Sequence, residues 1–136
     1  MSNANSPITA AVVPEASRLL ALPLAFGNLG LWVESMTYEW MHRLDPAYMG
    51  GAWEFYTISN TGFYMAIRGE KRQVIRAPNG NEVEVSADAA GIVATLYALN
   101  MLANRTESEL IIEKYYQLRN YASAHAEREE ILVAID

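Results

Sequence analysis

One stretch near the middle of the chain limits the possible folds more than any other. Residues 86–103 read SADAAGIVATLYALNMLA, with a single charge at Asp88 and hardly another polar group before Asn100. A helix that is apolar on nearly every side must be buried on nearly every side. Ser86 suits the N-cap position, and the carboxylate of Asp88 complements the exposed N–H groups of a first helical turn. The sequence therefore predicts a buried central helix.

The same stretch has the length of a short membrane span, since about 18 residues can just cross a bilayer. However, Asp88, Gly91, Thr95 and Asn100 interrupt its apolar character. Charged and polar side chains are costly in the hydrocarbon region of a membrane. We therefore interpret the stretch as a core helix and not as a membrane span.

The composition excludes several classes of protein. The chain has 136 residues, a formal net charge of −6 and no Cys. A chain of this length buries roughly two thirds of the surface that it exposes when unfolded, which favours one domain over residues 1–136. Without Cys there are no disulfides, thiolate nucleophiles or Cys-based zinc sites, and this fits a cytoplasmic protein. The negative charge argues against a general nucleic-acid-binding protein, which is normally basic.

The first third of the chain predicts mainly helix. Residues 1–7 are small and polar, which is typical of a disordered terminus, and no secretory signal is recognisable. Residues 8–13 form a β-branched run that predicts an edge strand or an extended arm. A short helix is expected after Pro14 and ends at Pro23, with a loop over residues 22–30. Apolar residues at helical spacing predict a longer helix over 29–44.

Four short runs with strand character follow, over residues 52–59, 63–68, 72–77 and 82–86. Turn sequences separate them, and Asn60-Thr61-Gly62 predicts a hairpin in which the glycine takes a positive φ. Apolar and charged residues alternate in the last run, which indicates a sheet with one solvated face. The sequence predicts an α+β fold, in which an antiparallel meander of about four strands packs on the buried central helix and further helices flank it.

The C-terminal region predicts further helix. Thr106 and Glu109 fit a capping box, the pattern in which two side chains satisfy the N–H groups that open a helix. Around residues 123–125 this helix is expected to kink or restart, and it continues over residues 127–135.

No catalytic or ligand-binding constellation is recognisable in the sequence. His42 and His125 have no carboxylate or second histidine at metal-ligand spacing on a shared face, and we interpret them as exposed or capping residues. No Gly-containing segment follows a strand and opens a helix in a phosphate-binding pattern. The sequence therefore predicts no catalytic residue, no cofactor-binding residue and no metal ligand.

Two charged regions could be binding surfaces. Arg68, Lys71, Arg72 and Arg76, offset by Glu70, carry a local charge of 4 − 1 = +3. They form either a small nucleic-acid patch or a solvated hairpin whose charges discourage edge-to-edge pairing. Residues 107–136 carry seven acids and three bases. Duplex DNA presents about one charge per 1.7 Å of axis, so a protein with a net charge of −6 falls far short of imitating it.

Three long stretches resemble one known family. They are YEWMHRLDPAYMGGAWEFYTISNTGFYMA (residues 38–66), VSADAAGIVATLYALNMLA (85–103) and YYQLRNYASAHAEREEILVAID (115–136). Their matching pieces are an aromatic helix, the hairpin W-x-F-Y-x-x-S-N-x-G-F-Y-M, the core helix and a terminal A-I-D. With V-V-P-E near the N-terminus, they resemble the KlcA/ArdB antirestriction family, small proteins carried by plasmids and other mobile elements. The family usually has a Gly-Gly pair in this hairpin turn, and this chain departs from it with Thr61 before Gly62. Residues 68–81 match no family motif.

This resemblance implies a compact α+β protein that lets incoming unmodified DNA survive host type I restriction–modification systems. It implies a cytoplasmic inhibitor that has no catalytic residues or cofactor and acts by protein–protein interaction. The implied partner is the host type I restriction complex, contacted directly or indirectly, with no strong nucleic-acid binding and no membrane. We expect a monomer or a weak homodimer. The alternative, taken from the residues alone, is a small nucleic-acid-binding module that uses the basic segment 68–76.

We expect the interaction surface to include surface-capable residues of the matched motifs. These are Trp53, Tyr56, Ser59 and Asn60 around the hairpin, and Glu129, Glu130 and Asp136 near the C-terminal end. Each also has a purely structural interpretation, as an aromatic cross-strand pair, a turn residue or a solvated helix end.

Overall fold

The structure is a computed structural model that describes residues 6–136, with five strands and five α-helices in that range. In chain order these are β1 (Ala10–Val12), α1 (Arg18–Phe26), α2 (Gly30–Leu44), β2 (Trp53–Ile58), β3 (Phe63–Ile67), β4 (Gln73–Arg76), β5 (Glu82–Val85), α3 (Ala87–Thr106), α4 (Glu109–Ser123) and α5 (Arg128–Ile135). Short 3-10 turns, Glu15–Ser17 and Gly27–Leu29, precede α1 and α2. The prediction of disorder for residues 1–7 concerns mostly residues 1–5, which lie outside the described residues.

The central helix is confirmed as α3. It is buried along most of its length, and the Ser86 hydroxyl accepts a hydrogen bond from the Ala89 N–H at 3.1 Å, as an N-cap residue does. The helix runs three residues beyond the predicted end, to Thr106. All the other α-helices except α1 pack against α3, as do the hairpins β2–β3 and β4–β5.

Helix α3 approaches strand β3 closely at Gly91. A Cβ at Gly91 would overlap the carbonyl oxygen of Met65 and the backbone of Ala66, so only glycine fits there. One turn later, the buried Thr95 hydroxyl lies 3.3 Å from the Met65 N–H, which donates to it, and itself donates to the Gly91 carbonyl at 2.8 Å. Thr95 therefore satisfies a β3 backbone group that faces away from β2.

The α+β class is confirmed, but the strands form two sheets and not one continuous meander. One sheet has the order β1–β2–β3 and the other pairs β4 with β5, all antiparallel. Strand β3 does not pair with β4 because α3, through Gly91 and Thr95, covers the edge that β4 would need. The edge strand expected within residues 8–13 is present as β1.

Three further expectations about local structure are wrong. Pro23 does not end the first helix, which continues to Phe26 and leaves no loop over residues 22–30. Proline removes one helical N–H donor, and here the helix tolerates this on its exposed side.

The capping box does not form because Thr106 still belongs to α3. Ser108 caps α4 instead, its hydroxyl accepting from the Ile111 N–H at 3.3 Å. The expected restart near residues 123–125 is confirmed by the gap between α4 and α5.

Among the described residues, one segment is long and apolar enough to cross a membrane. It is Glu15–Leu44, and 22% of its apolar window is buried. The segment is not a continuous helix, because Gly27, at φ +58°, separates α1 from α2. A break of this kind leaves backbone groups that hydrocarbon cannot satisfy, and α2 also carries Glu34, Glu39 and Arg43. The segment Glu15–Leu44 therefore resembles a membrane-spanning helix in length and composition alone.

Candidate functional site

The turn between β2 and β3 is fastened to α4. Asn60 Oδ1 accepts from the Gly62 N–H at 3.0 Å, while Asn60 Nδ2 donates to the Gln117 carbonyl at 2.9 Å. The Gln117 amide in turn donates to the Thr61 hydroxyl at 2.7 Å, and the Lys114 ammonium donates to the Thr61 carbonyl. Burial of Lys114 lowers the pKa of its ammonium, partly offset by the negative charge of Glu113. The turn is therefore a rigid surface element.

The turn corrects one expectation from the sequence. The residue with positive φ is Thr61, at +70°, and not Gly62. A β-branched residue in this region is strained, and its contacts with α4 compensate the strain. The position of Gly62 favours glycine for a different reason, since a Cβ there would lie 2.9 Å from Asn60 Oδ1 and 3.2 Å from Gln117 Cβ and would push on the contact with α4.

The other hairpin candidates differ in exposure. Ser59 is exposed, and its hydroxyl accepts from the Thr9 N–H at 2.9 Å, which ties β1 to the hairpin. Trp53 is only 5% exposed, with its Nε1–H donating to the Tyr48 hydroxyl at 3.0 Å and its ring packed edge-on against Tyr38. The expectation that Trp53 can contribute to a surface is therefore wrong: its ring completes the core.

A tyrosine stack crosses the sheet at Tyr56. The rings of Tyr56 and Tyr64 lie opposite each other on β2 and β3, with centroids 4.6 Å apart and planes nearly parallel. Tyr64 is also stacked on Tyr121 of α4 at 5.7 Å. Tyr64 is 1% exposed, whereas Tyr56 and Tyr121 are half-buried, so the edges of these two outer rings are the parts of the stack that can contact a partner. Burial raises the pKa of the Tyr56 phenol, so it stays neutral at ordinary pH.

Beneath this stack lies a hydrogen-bonded network that joins three distant parts of the chain. The Tyr64 hydroxyl donates to Asp88 Oδ1 at 2.7 Å, and His125 Nε2 lies 2.8 Å from Asp88 Oδ2. His125 Nδ1 accepts from the Glu127 N–H at 2.9 Å, so in this tautomer Nε2 carries the proton and donates to Asp88. We call Tyr64, Asp88, His125 and Glu127 the aspartate–histidine network.

Glu127 closes the network on the N-terminus of α3. Its carboxylate accepts from the Ser86 N–H at 2.9 Å and from the Ser86 hydroxyl, and it lies 4.0 Å from the Arg72 guanidinium. Ser86 is the N-cap of α3. The junction between α4 and α5 is thereby attached to the first turn of the core helix.

The electrostatics of the network favour a charged Asp88 and a neutral Tyr64. Burial alone would raise the pKa of Asp88, but the hydrogen bonds from His125 and Tyr64 outweigh it and hold the pKa below its usual value. Burial, together with the hydrogen bond to Asp88, raises the pKa of the Tyr64 phenol. Both nitrogens of His125 are engaged, whereas a general base needs a free lone pair. The geometry therefore fits a structural clamp.

The C-terminal candidates lie apart from the hairpin. Asp136 Oδ1 is 3.0 Å from the Arg119 guanidinium of α4, while Glu129 is exposed and Glu130 half-buried on α5. The hairpin contacts α4 at Gln117, and residues two apart on a helix do not face the same way. Tyr56, Ser59 and Asn60 therefore lie on or next to the β2–β3 hairpin, whereas Glu129 and Glu130 lie in the first turn of α5 and Asp136 follows its last residue.

The family model described as "Antirestriction protein" matches residues 46–136, which include the hairpin, α3, the network and α5. The chain belongs to the antirestriction protein family. It is 48% identical to an antirestriction protein KlcA of Escherichia coli over 96% of this chain and 95% of that protein. It is 42% identical to a second E. coli KlcA over all of both chains.

A solved structure supports the same family membership. It matches with a TM-score of 0.88 and 42% identity over 100% of both chains. The KlcA and ArdB proteins of that structural work are described as having a novel fold and antirestriction activity against type I DNA restriction systems in vivo but not in vitro. The resemblance to the KlcA/ArdB antirestriction family is thus confirmed.

The basic segment of this antirestriction-family chain is largely neutralised by acids. The guanidinium of Arg68 lies 2.6 Å from Glu54, that of Arg76 lies 3.0 Å from Glu82 and that of Arg72 lies 3.4 Å from Glu84. Cross-strand pairs of opposite charge stabilise a hairpin modestly. The arrangement therefore fits a solvated hairpin better than a phosphate-binding surface.

The two histidines differ in exposure, a difference that sequence patterns could not predict. His42 is exposed on α2, as expected, with its ring packed edge-on against Tyr48. His125 is not an exposed residue, since its side chain is only 11% exposed beside Asp88. The two partners are 37 positions apart, so no local motif links them. Among residues 6–136, no group of three His, Asp or Glu side chains could hold a metal ion.

Proposed function

We propose that this chain relieves type I restriction of incoming unmodified DNA inside the cell by contacting a protein. The observation that carries the proposal is the full-length match to a structure described with antirestriction activity against type I systems in vivo but not in vitro. Activity that is present in cells and absent with purified components requires a cellular component that the purified assay does not contain. A second protein, or the restriction complex in its cellular state, supplies that component.

The arrangement of ionisable groups supports inhibition without catalysis. In the aspartate–histidine network, each ring nitrogen and each carboxylate oxygen already has a partner within the chain. A substrate would have to displace one of these hydrogen bonds before His125 could accept a proton. The network therefore orders the fold and leaves recognition to the surface.

Charge supports contact with a protein over imitation of DNA. The whole chain carries −6, whereas ten base pairs of duplex carry roughly twenty phosphates. The basic segment 68–76 gives the alternative, a nucleic-acid-binding module. The pairing of its arginines with Glu54, Glu82 and Glu84 weakens that alternative. Binding to labelled duplex at two salt concentrations tests it, because phosphate contacts weaken steeply as salt rises.

The proposed contact surface has two parts. One is the rigid hairpin turn with Tyr56, Ser59 and Asn60, and the other is the acidic end of the chain with Glu129, Glu130 and Asp136. Trp53 supports the first part from the core. The partner that fits is the host type I restriction complex in the cytoplasm, reached directly or through a further host protein.

Charge reversal tests the acidic part of this surface. Glu129→Lys combined with Glu130→Lys should abolish the relief of restriction in cells while the protein stays folded, because the two side chains make no hydrogen bond within the described residues. The matched control is Glu70→Lys with Glu107→Lys, an equal change of charge at two exposed positions elsewhere. Relief that survives the first pair would remove the acidic end from the surface. Relief lost equally with the control pair would mean that net charge alone matters.

An assay with purified components tests the requirement for the cell. The purified chain should leave cleavage by a purified type I enzyme unchanged, and adding an extract of the host cells should restore inhibition. Inhibition without the extract would show that the chain acts directly on the enzyme and would contradict the requirement for a cellular component.

A further inference from the structure

The N-terminal helices expose a large amount of apolar surface. Five large apolar side chains of α1 and α2 are mostly exposed: Leu19 (93%), Leu20 (61%), Leu24 (83%), Leu31 (75%) and Trp32 (57%). We call these five residues the N-terminal apolar face. Leu19 and Leu31 border one groove beside α1, Leu24 borders another, and Trp32 lies beside a separate pocket with Leu29 and Leu102. Single exposed apolar residues are ordinary, but so many on two successive helices mark a site of association. This face has no role in the surface proposed above.

We propose that the N-terminal apolar face binds a second copy of this chain, in a two-fold symmetric dimer. The proposal does not depend on the antirestriction function. It is carried by three properties of the face, namely its shape, its low charge and its area.

The shape is complementary to itself. Helix α1 forms a ridge between two apolar grooves. One groove, of about 700 Å³, lies between α1 and α2 beside Leu19 and Leu31. The other, of about 610 Å³, lies between α1 and the β1–β2 edge beside Val12 and Leu24. Helices pack by placing the ridge of one in the groove of another. Two copies related by a two-fold axis present the same ridge and groove to each other, as symmetric dimers do.

The charge distribution selects a like partner. The chain has 26 charged residues, but none lies between Arg18 and Glu34, and only Glu15 and Arg18 precede that interval. Two copies of a protein with net charge −6 repel each other through most of their surfaces. The charged side chains lining the two grooves are Arg18 and Glu34 in one and Lys114 in the other, a local charge of 2 − 1 = +1, so two copies repel each other less at this face than elsewhere.

The area agrees with what a stable dimer needs. A side chain of this size carries roughly 60–120 Å² of apolar surface, so the five offer on the order of 400 Å². A standard interface buries about 800 Å² per partner, a little over half of it apolar. The face therefore supplies nearly all of the apolar part of such an interface, and the polar rim can come from Asn28 and Ser35, which border it.

A membrane surface is the other occupant that an apolar helical face could suggest. Helices that lie in the membrane interface usually carry Lys and Arg on the side facing the lipid headgroups. Here Arg18 is the one basic residue between Ser6 and Glu39, and it is half-buried beside Glu54. The chemistry of the face thus favours protein over lipid.

Sedimentation velocity of the purified full chain tests the proposal. The wild-type protein should shift with rising concentration from the 15.1 kDa monomer toward twice that mass. Leu24→Glu combined with Leu31→Glu places acids in the face and should weaken self-association by at least about tenfold. Leu19→Ser should weaken it without adding charge. The matched control is Met49→Glu, which adds an acid at a 95% exposed apolar residue outside the face and should dimerise like the wild type.

Three results would overturn the proposal. The first is a wild-type protein that stays monomeric at all concentrations. The second is Leu24→Glu/Leu31→Glu protein that is folded by circular dichroism and dimerises as the wild type does. The third is a monomer that binds vesicles of phosphatidylcholine and phosphatidylglycerol, which would assign the face to lipid. None of these results bears on relief of restriction, so the two proposals fail independently.

Discussion

The Nε2 atom of His125 lies 2.8 Å from a carboxylate oxygen of Asp88, although 37 positions separate the two residues in the chain. Asp88 belongs to the first turn of the core helix, and His125 lies between the last two helices. The same carboxylate accepts from the Tyr64 hydroxyl at 2.7 Å. One side chain thus holds the hairpin, the core helix and the C-terminal region in register.

Removing the Asp88 carboxylate should destabilise the fold. Asp88→Ala leaves the hydroxyl of Tyr64, a 1% exposed residue, without its acceptor, at a cost of about 1–3 kcal/mol in the free energy of unfolding. Urea denaturation measures this cost. Glu70→Ala, at an exposed turn position, is the control and should change the free energy by less than about 0.5 kcal/mol. Equal stability of the two variants would show that the network contributes nothing.

The contribution of Asp88 should depend on pH. Its pKa in the folded state lies below the ordinary value of 3.8. The stabilisation is therefore fully present above the unfolded pKa and is lost as the pH falls through the folded pKa. The difference in unfolding free energy between the wild type and Asp88→Asn should shrink between about pH 5 and pH 2. A difference that stays constant over this interval would contradict the lowered pKa.

Gly91 should not tolerate even one added methyl group. In Gly91→Ala the new Cβ overlaps backbone atoms of Met65 and Ala66, which cannot rotate away as a side chain could. Overpacking of this kind costs about 1–3 kcal/mol, and we expect the upper end because β3 and α3 must separate. Thermal unfolding measures the effect. Asn100→Ala, on the exposed side of the same helix, should be close to neutral. Normal stability of Gly91→Ala would contradict the close approach of α3 and β3.

Thr61 offers a test of backbone strain. Its φ of +70° suits glycine, whereas its hydroxyl accepts a hydrogen bond from Gln117. Thr61→Ala loses the hydrogen bond and keeps the strain, while Thr61→Gly loses both. The glycine variant should therefore be more stable than the alanine variant by about 1–2 kcal/mol. If alanine proved at least as stable as glycine, the left-handed conformation at this position would be wrong.

Much of the fold could be predicted from local patterns. The core helix, α2 and the four strands between residues 52 and 86 follow from periodicity and turn residues. The division into two sheets could not be predicted, because it depends on Gly91 and Thr95 closing the edge of β3. Sequence spacing does not report which strand edge a helix will cover. The helical conformation of Pro23 likewise depends on where α1 meets solvent.

Local sequence patterns predict only part of the candidate site. The turn chemistry of Asn60 follows from its residue type, and its attachment to α4 does not. The burial of Trp53 is a tertiary property, so residue type alone assigned it to the surface. His125 was expected to be exposed or to cap a helix, and its low exposure beside Asp88 likewise depends on the assembled fold. Asp88 was recognisable as a first-turn carboxylate. Its hydrogen bonds to Tyr64 and His125 required the assembled fold.

The measurement that bears most directly on function is phage plating on a host with an active type I system, with and without this protein. Phage already modified by that host controls for effects other than restriction. We predict that the protein raises the efficiency of plating of unmodified phage toward that of modified phage and leaves modified phage unchanged. Unchanged plating of unmodified phage, with the protein shown to be folded in the same cells, would contradict an antirestriction function for this chain.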